Sequence, residues 1–290
     1  MRIGTIDHNG ITEGSIWKPL MGFFFPIWMG TFFQQFYNTA DTIIVGRFLG
    51  TSALAAVGAT SVIVSLLVGF FTGLASGASV VIAQYFGARD REKVSAGVHT
   101  AILLAVFSGL VFTVLGILTA KVTLRMMNTP QDIMEDAMTY IRVYYMGMIP
   151  LMLYDMGTSI LRAIGDSRRP LYFLIASAIA NILLDLVLVA VIPMGVAGAA
   201  LATVISEILS CCLTLLCLTK AAGEPWQLRI RDLRMNPFLL RQMLRLGLPA
   251  GLQSILYTVS NMVIQASINS FGTATVASWT VYGKVDFVYW

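Results

Sequence analysis

The sequence predicts an all-α protein whose helices cross a membrane several times, and three observations carry that prediction. Apolar residues make up 57% of the chain and charged residues 12%, with a mean hydropathy of +0.78, a balance foreign to ordinary water-soluble domains. The charges gather in short clusters between apolar runs of about 20 residues or more, the length of a bilayer-crossing helix. The runs are continuous, whereas a transmembrane barrel would show alternating segments of about ten residues. The net charge of +4 is spread over loops and gives no support to nucleic-acid binding. Cys211, Cys212 and Cys217 all fall in one apolar run, where they read as small hydrophobes with neither disulfide nor metal spacing.

The elements follow in order. The first sixteen residues are polar and lack a signal-peptide core, so the first span is expected to direct insertion. Span 1 covers roughly Leu20–Val45 and span 2 roughly Ala53–Tyr85, the latter rich in small residues (Gly69, Gly73, Ser76, Gly77, Ser79) that let helices approach closely. After the Ala88–Lys93 loop, span 3 runs over about Gly97–Ala120. A polar connection, Lys121–Asp136, contains Thr129-Pro130-Gln131-Asp132, which reads as the start of a short surface helix. Span 4 ends near Leu161, ahead of a turn marked by Gly165 and Pro170. Spans 5 (about Leu171–Ile192) and 6 (about Val196–Leu218) are joined by a Pro193-Met194-Gly195 hairpin. An amphipathic connection, Lys220–Arg245, leads to span 7 at about Gly247–Asn269, and an eighth span begins near Thr275.

Fourteen of the 19 basic residues fall on one side of these spans: Arg2 and Lys18, then Arg89, Arg91 and Lys93, then Arg162, Arg168 and Arg169, and finally Lys220, Arg229, Arg231, Arg234, Arg241 and Arg245. The positive-inside rule makes that side, and the N-terminus with it, cytoplasmic. Pro26 and Asn38 are spaced as Pro249 and Asn261 are, and Gly50-Thr51 with Leu54-Ala55 recurs as Gly272-Thr273 with Val276-Ala277. Six spans, an even number, precede the second copy, so the repeat is parallel, about an axis along the membrane normal. The expected organisation is a six-helix lobe over residues 1–222, a cytoplasmic connection over 223–245, and the start of a second lobe over 246–290.

Three spans carry polar stripes. Gln34, Asn38 and Asp41 stand at i, i+4 and i+7 on span 1, with Tyr37 beside them. A carboxylate within hydrocarbon costs about 2.5–3.5 kcal/mol on the lenient insertion scale, so Asp41 is expected to face a protein interior or wet cavity and to hold a proton or a cation. The competing reading has it touching water at the span's end, near Arg47. Span 5 places Ser177, Asn181 and Asp185 on one face, and span 6 places Thr203, Glu207 and Ser210 on another. The natural arrangement turns all three stripes to one cavity, where carboxyls could exchange protons or share a sodium ion, Asp41, Asn181 and Asp185 being its ligands. Asp155 on span 4 could serve the cavity or pair with Arg162 or another helix, and Glu207 could simply pair with a neighbouring helix. The methionines crowding span 4, among them Met148, Met152 and Met156, read as packing filler.

Taken together, QQFYNTADTIIVGRFLGTSALAAVG, GLASGASVVIAQYFGARDREK, LRAIGDSRRP, ANILLDLVLV and GVAGAALATVISE resemble the multidrug and toxic compound extrusion family, in its bacterial branch of DNA-damage-inducible efflux-like members. The resemblance implies twelve helices in two six-helix lobes about a cleft, of which this chain would supply the first seven to eight. It implies a monomer in the bacterial cytoplasmic membrane, with no cofactor beyond a coupling ion, proton or sodium. It also implies export of cationic or amphipathic compounds. The family's coupling positions match Tyr37, Asp41, Asn181, Asp185 and Thr203. Gln34, Asn38, Asp155 and Glu207 are the expected cavity residues. The family usually carries Asn at the position of Asp155 and often Gln at that of Glu207, so both added acids favour a cationic substrate.

Two other readings compete. A lipid-linked oligosaccharide flippase of the same superfamily would line its cavity with arginines to hold a pyrophosphate, and spans 1 to 6 offer acids instead. An intramembrane aspartyl protease needs two facing carboxyls from adjacent helices, whereas Asp155 and Asp166 lie eleven residues apart in one segment, the second in a turn. The sequence therefore predicts a transporter and no enzyme.

Overall fold

A computed structural model describes residues 17–127 and 129–269. The expected eighth span and the first sixteen residues lie outside the described residues. The described chain is built of helices: α1 (Trp17–Phe48), α2 (Gly50–Gly87), α3 (Arg91–Met126), α4 (Met134–Met146), α5 (Met148–Ala163), α6 (Arg168–Asp185), α7 (Val196–Thr219) and α8 (Pro237–Asn269). A π-helical stretch, Leu186–Val191, prolongs α6, and a 3-10 turn, Ile230–Asp232, lies ahead of α8. Among the described residues, four stretches are long and apolar enough to cross a membrane: α2, α3, α6 with its extension, and α7. α1 and α8 match them in length, and polar residues such as Gln34, Gln35, Asn38 and Asp41 interrupt α1.

Three boundaries differ from the sequence expectation. Span 4 is two helices, α4 and α5, meeting at Gly147. The helix expected to start at Thr129–Asp132 begins at Met134 and is α4 itself, the first half of this broken span rather than a separate surface helix. Residues 237–245, read from sequence as connection, are already the first turns of α8. Here Asn236 sets the start: its Oδ1 accepts the N–H of Phe238 (3.0 Å) and of Leu239 (3.3 Å), satisfying donors that a helix start leaves free.

Other turns are fixed by caps and glycines as well. Asp90 caps α3 by accepting the Lys93 N–H (3.1 Å) and pairs with the Lys93 ammonium (3.0 Å). Gly165, with φ +88°, ends α5 in a conformation that suits glycine. Asp166 then caps α6 through the N–H groups of Arg168 and Arg169. Gly195, with φ +66°, turns the hairpin into α7.

α5 lies near the centre, against α2, α3 and α7. α7 also packs on α4 and α6, while α1 rests chiefly on α6. Met148, Met152 and Met156 are core residues, as the filler reading expects. The closest helix approach joins α2 to α8. A Cβ at Gly73 would overlap the Gly251 backbone and one at Gly77 the Gly247 backbone, so only glycine permits this seam. The Tyr85 hydroxyl donates to Gln242 Oε1 (3.1 Å) at its end.

Candidate functional site

α6 supplies the buried half of the site. Asn181 is 1% exposed and Asp185 0%, one helical turn apart on the face that α1 and α7 cover. Neither polar atom of the Asn181 amide and neither oxygen of Asp185 finds a donor or acceptor of its own among the described residues. Buried polar groups are otherwise paired in the great majority of cases. α1 brings Asp41 to this spot, with its carboxyl within hydrogen-bond reach of Asp185 and its Oδ1 buried. Two ionised carboxylates have no hydrogen to share. Their contact becomes favourable when a proton or a cation sits between them. Immediately after Asp185 the helix widens into the π-helical turn, closed by the Ile192 N–H on the Val187 carbonyl (2.9 Å). Such turns are frequent at functional positions.

A second acidic group adjoins the first. Asp155 on α5 and Glu207 on α7 are partly exposed, yet Asp155 Oδ2 and Glu207 Oε2 are buried without a hydrogen-bond partner. No ion pair joins Asp155 to Arg162 among the described residues, so the pairing considered from sequence does not form. Glu207 reaches the α4–α5 break, where a Cβ on Gly147 would stand 3.1 Å from its Oε2. Tyr37 lies within electrostatic reach of acids in both groups, Asp41, Asp155 and Glu207.

The remaining expected residues are placed differently. Gln34 and Asn38 are exposed on α1. The Thr203 hydroxyl is turned to its own helix, donating to the Ala199 carbonyl (3.2 Å). The sequence reading missed Tyr140 and Tyr144 on α4, stacked at 6.4 Å and both buried. Tyr140 lies within electrostatic reach of Asp41, Glu207, Tyr37 and Asp185. Their i, i+4 spacing on a span beside an acidic stripe was the available signal. Among the described residues no arginine or lysine is buried, and Asp166 is engaged by Arg169 at 3.1 Å in its turn.

The model of the family described as MatE matches residues 26–187. The chain belongs to the MatE family. Relatives of this MatE chain include "Probable multidrug resistance protein YoeA" of Bacillus subtilis, 33% identical over 94% of this chain and 60% of its own length. "Multidrug export protein MepA" of Staphylococcus aureus is 22% identical over 93% of this chain and 59% of its own length. The MatE chain thus spans about three-fifths of the curated relatives it matches. Among solved structures, the outward-facing conformation of a multidrug resistance MATE transporter matches with a TM-score of 0.88 and 26% identity, over 98% of this chain and 64% of that one. An inward-facing conformation matches with a TM-score of 0.75 and 27% identity, over 88% and 58%. These relatives are transporters, as the sequence predicts.

Proposed function

We propose that this chain is the ion-coupled part of a secondary efflux transporter that exchanges protons or sodium ions for cationic or amphipathic small molecules. The observation that carries this reading is the Asp41–Asp185 contact, buried, without a protein donor, and flanked by the unpartnered Asn181 amide. Hard oxygen donors of this kind suit a proton or a sodium ion equally. In the outward-facing state the ion neutralises the pair. α1, which contains Pro26 and so lacks one backbone hydrogen bond, then repacks and narrows the cavity, releasing substrate outward. The ion must bind the outward state more tightly than the inward one, since only differential affinity moves the equilibrium. Asp155 and Glu207, with Gln34 and Asn38 on the open face of α1, line the substrate side, and their negative charge selects cations. The protein works as a monomer in the bacterial cytoplasmic membrane with its N-terminus in the cytoplasm.

The test replaces Asp41 and Asp185 singly with Asn in the full-length transporter. Each variant is expected to insert normally and to lose efflux driven by an imposed ion gradient. Export near the wild-type rate from either variant would remove that acid from the coupling site.

A further inference from the structure

The segment between the two repeats forms a closed loop. His99 and Thr100 are adjacent on α3 and almost fully buried, and both spend their donors backward on their own helix. His99 Nδ1 donates to the Ser95 carbonyl (2.7 Å) and the Thr100 hydroxyl to the Ala96 carbonyl (2.7 Å). Their acceptors face the segment: His99 Nε2 takes the Arg229 N–H (3.1 Å) and Thr100 Oγ1 the Asn236 N–H (3.1 Å). Two neighbouring residues therefore pinch the chain at 229 and 236 and fix everything between.

What this pinch holds outward is basic and apolar. Arg229, Arg231 and Arg234 are exposed, Ile230 is 74% exposed, and Met235 and Phe238 add further apolar surface. Asp232 is the single acid, 3.9 Å from Arg229. The same edge continues on α8, where Arg241 and Arg245 flank a shallow, open apolar groove along the helix surface formed by Leu240, Leu244 and Leu248. The loop sits between the ends of α7 and α8 and so lies at the level where a bilayer's headgroups begin.

We propose that this edge, the loop closed by His99 and Thr100 together with the first turns of α8, is a binding site for an anionic phospholipid. The arginines take the headgroup phosphate, for which their planar donor fork is suited, and the leucine-lined groove takes an acyl chain. Charge complementarity selects the lipid: five arginines face one acid, and a juxtamembrane arginine gains roughly fivefold in affinity for an anionic surface. Exposed isoleucine, methionine and phenylalanine beside that charge mark an interfacial segment rather than a docking face for a water-soluble partner. The proposal is independent of ion coupling, because lipid retention is measured without transport.

The experiment places the full-length transporter in nanodiscs of phosphatidylcholine containing a minor fraction of phosphatidylglycerol, and counts retained lipids by native mass spectrometry. Wild type is expected to retain phosphatidylglycerol selectively. Arg231→Gln and Arg241→Gln should each reduce retention about fivefold. Thr100→Val, which leaves every charge in place, should lower retention and speed amide exchange at Asn236, while Thr100→Ser restores both. Equal retention of the two lipids, or retention unchanged in the arginine variants, overturns the site. So does full displacement of the lipid by soluble glycerol phosphate, which would mark a simple anion site. Unchanged retention in Thr100→Val overturns the role given to the pinch.

Discussion

The acids at the turns between helices and those within the helices are treated in opposite ways. Asp166 is buried, yet it accepts two backbone N–H groups and pairs with Arg169. Asp90 likewise meets the Lys93 N–H and ammonium. Asp41, Asp155, Asp185 and Glu207 bury oxygens that no protein donor satisfies. A carboxyl that serves the fold is supplied with donors by the fold. Under the function proposed above, those left without them in a buried place take their partner as a proton, a metal cation or a charged substrate.

That contrast can be broken by substitution. Asp166→Ala should have the largest effect on stability, lowering it by about 2 kcal/mol through loss of the α6 cap and a charged hydrogen bond. It should leave transport per inserted molecule unchanged, and thermal unfolding beside a transport assay reads both. Asp185→Asn should show the reverse, and an Asp166 variant that unfolds like wild type would dissolve the distinction. A smaller effect sharpens the role of the second acid pair. Asp155→Asn combined with Glu207→Gln should reduce export of monovalent cations five- to tenfold, the size of about one lost charged contact, and spare neutral dyes. Equal loss for both classes would assign these acids to folding or coupling.

The smallest effect is expected at the surface. The Lys93 N–H and ammonium hold the Asp90 carboxyl below the usual carboxylate range. A depressed carboxyl stabilises the fold above its ordinary range and loses that contribution as pH falls through the lowered value. Protection of the first-turn amides of α3, taken relative to their intrinsic exchange rate at each pH, should therefore fall only in acid, and Asp90→Ala should show the lowered protection at neutral pH. Protection in that turn that ignores both pH and the substitution would show the cap to be idle.

Much of this was legible in the sequence because two periodicities made it so. Asn181 and Asp185 stand one turn apart in an otherwise apolar run, and Asp41 ends a stripe of the same kind, so their convergence follows from the cost of leaving them in lipid. Tyr140 and Tyr144 escaped notice because an aromatic pair at i, i+4 looks the same in a core as beside a site. The break at Gly147 was hidden for a different reason. Pro150, three residues on, has no N–H to return to the Met146 carbonyl, a local signal that a reading by whole spans passes over, while Val204 and the Glu207 carboxyl of α7 crowd the place a side chain at 147 would take. The early start of α8 depended on Asn236, an N-cap easily read as loop. Thr203 matched the expected pattern by position, yet its hydroxyl had a carbonyl of its own helix within reach, as Thr in helices often does.

The central claim is that Asp41 and Asp185 hold one ion between them. Infrared difference spectroscopy on the full-length transporter, stepping pH with and without sodium, reads the carboxyl bands directly. The account predicts one ion-sensitive band that vanishes in Asp41→Asn and equally in Asp185→Asn, because each carboxyl needs the other. A band that survives in either variant, unchanged in position and amplitude, would contradict it.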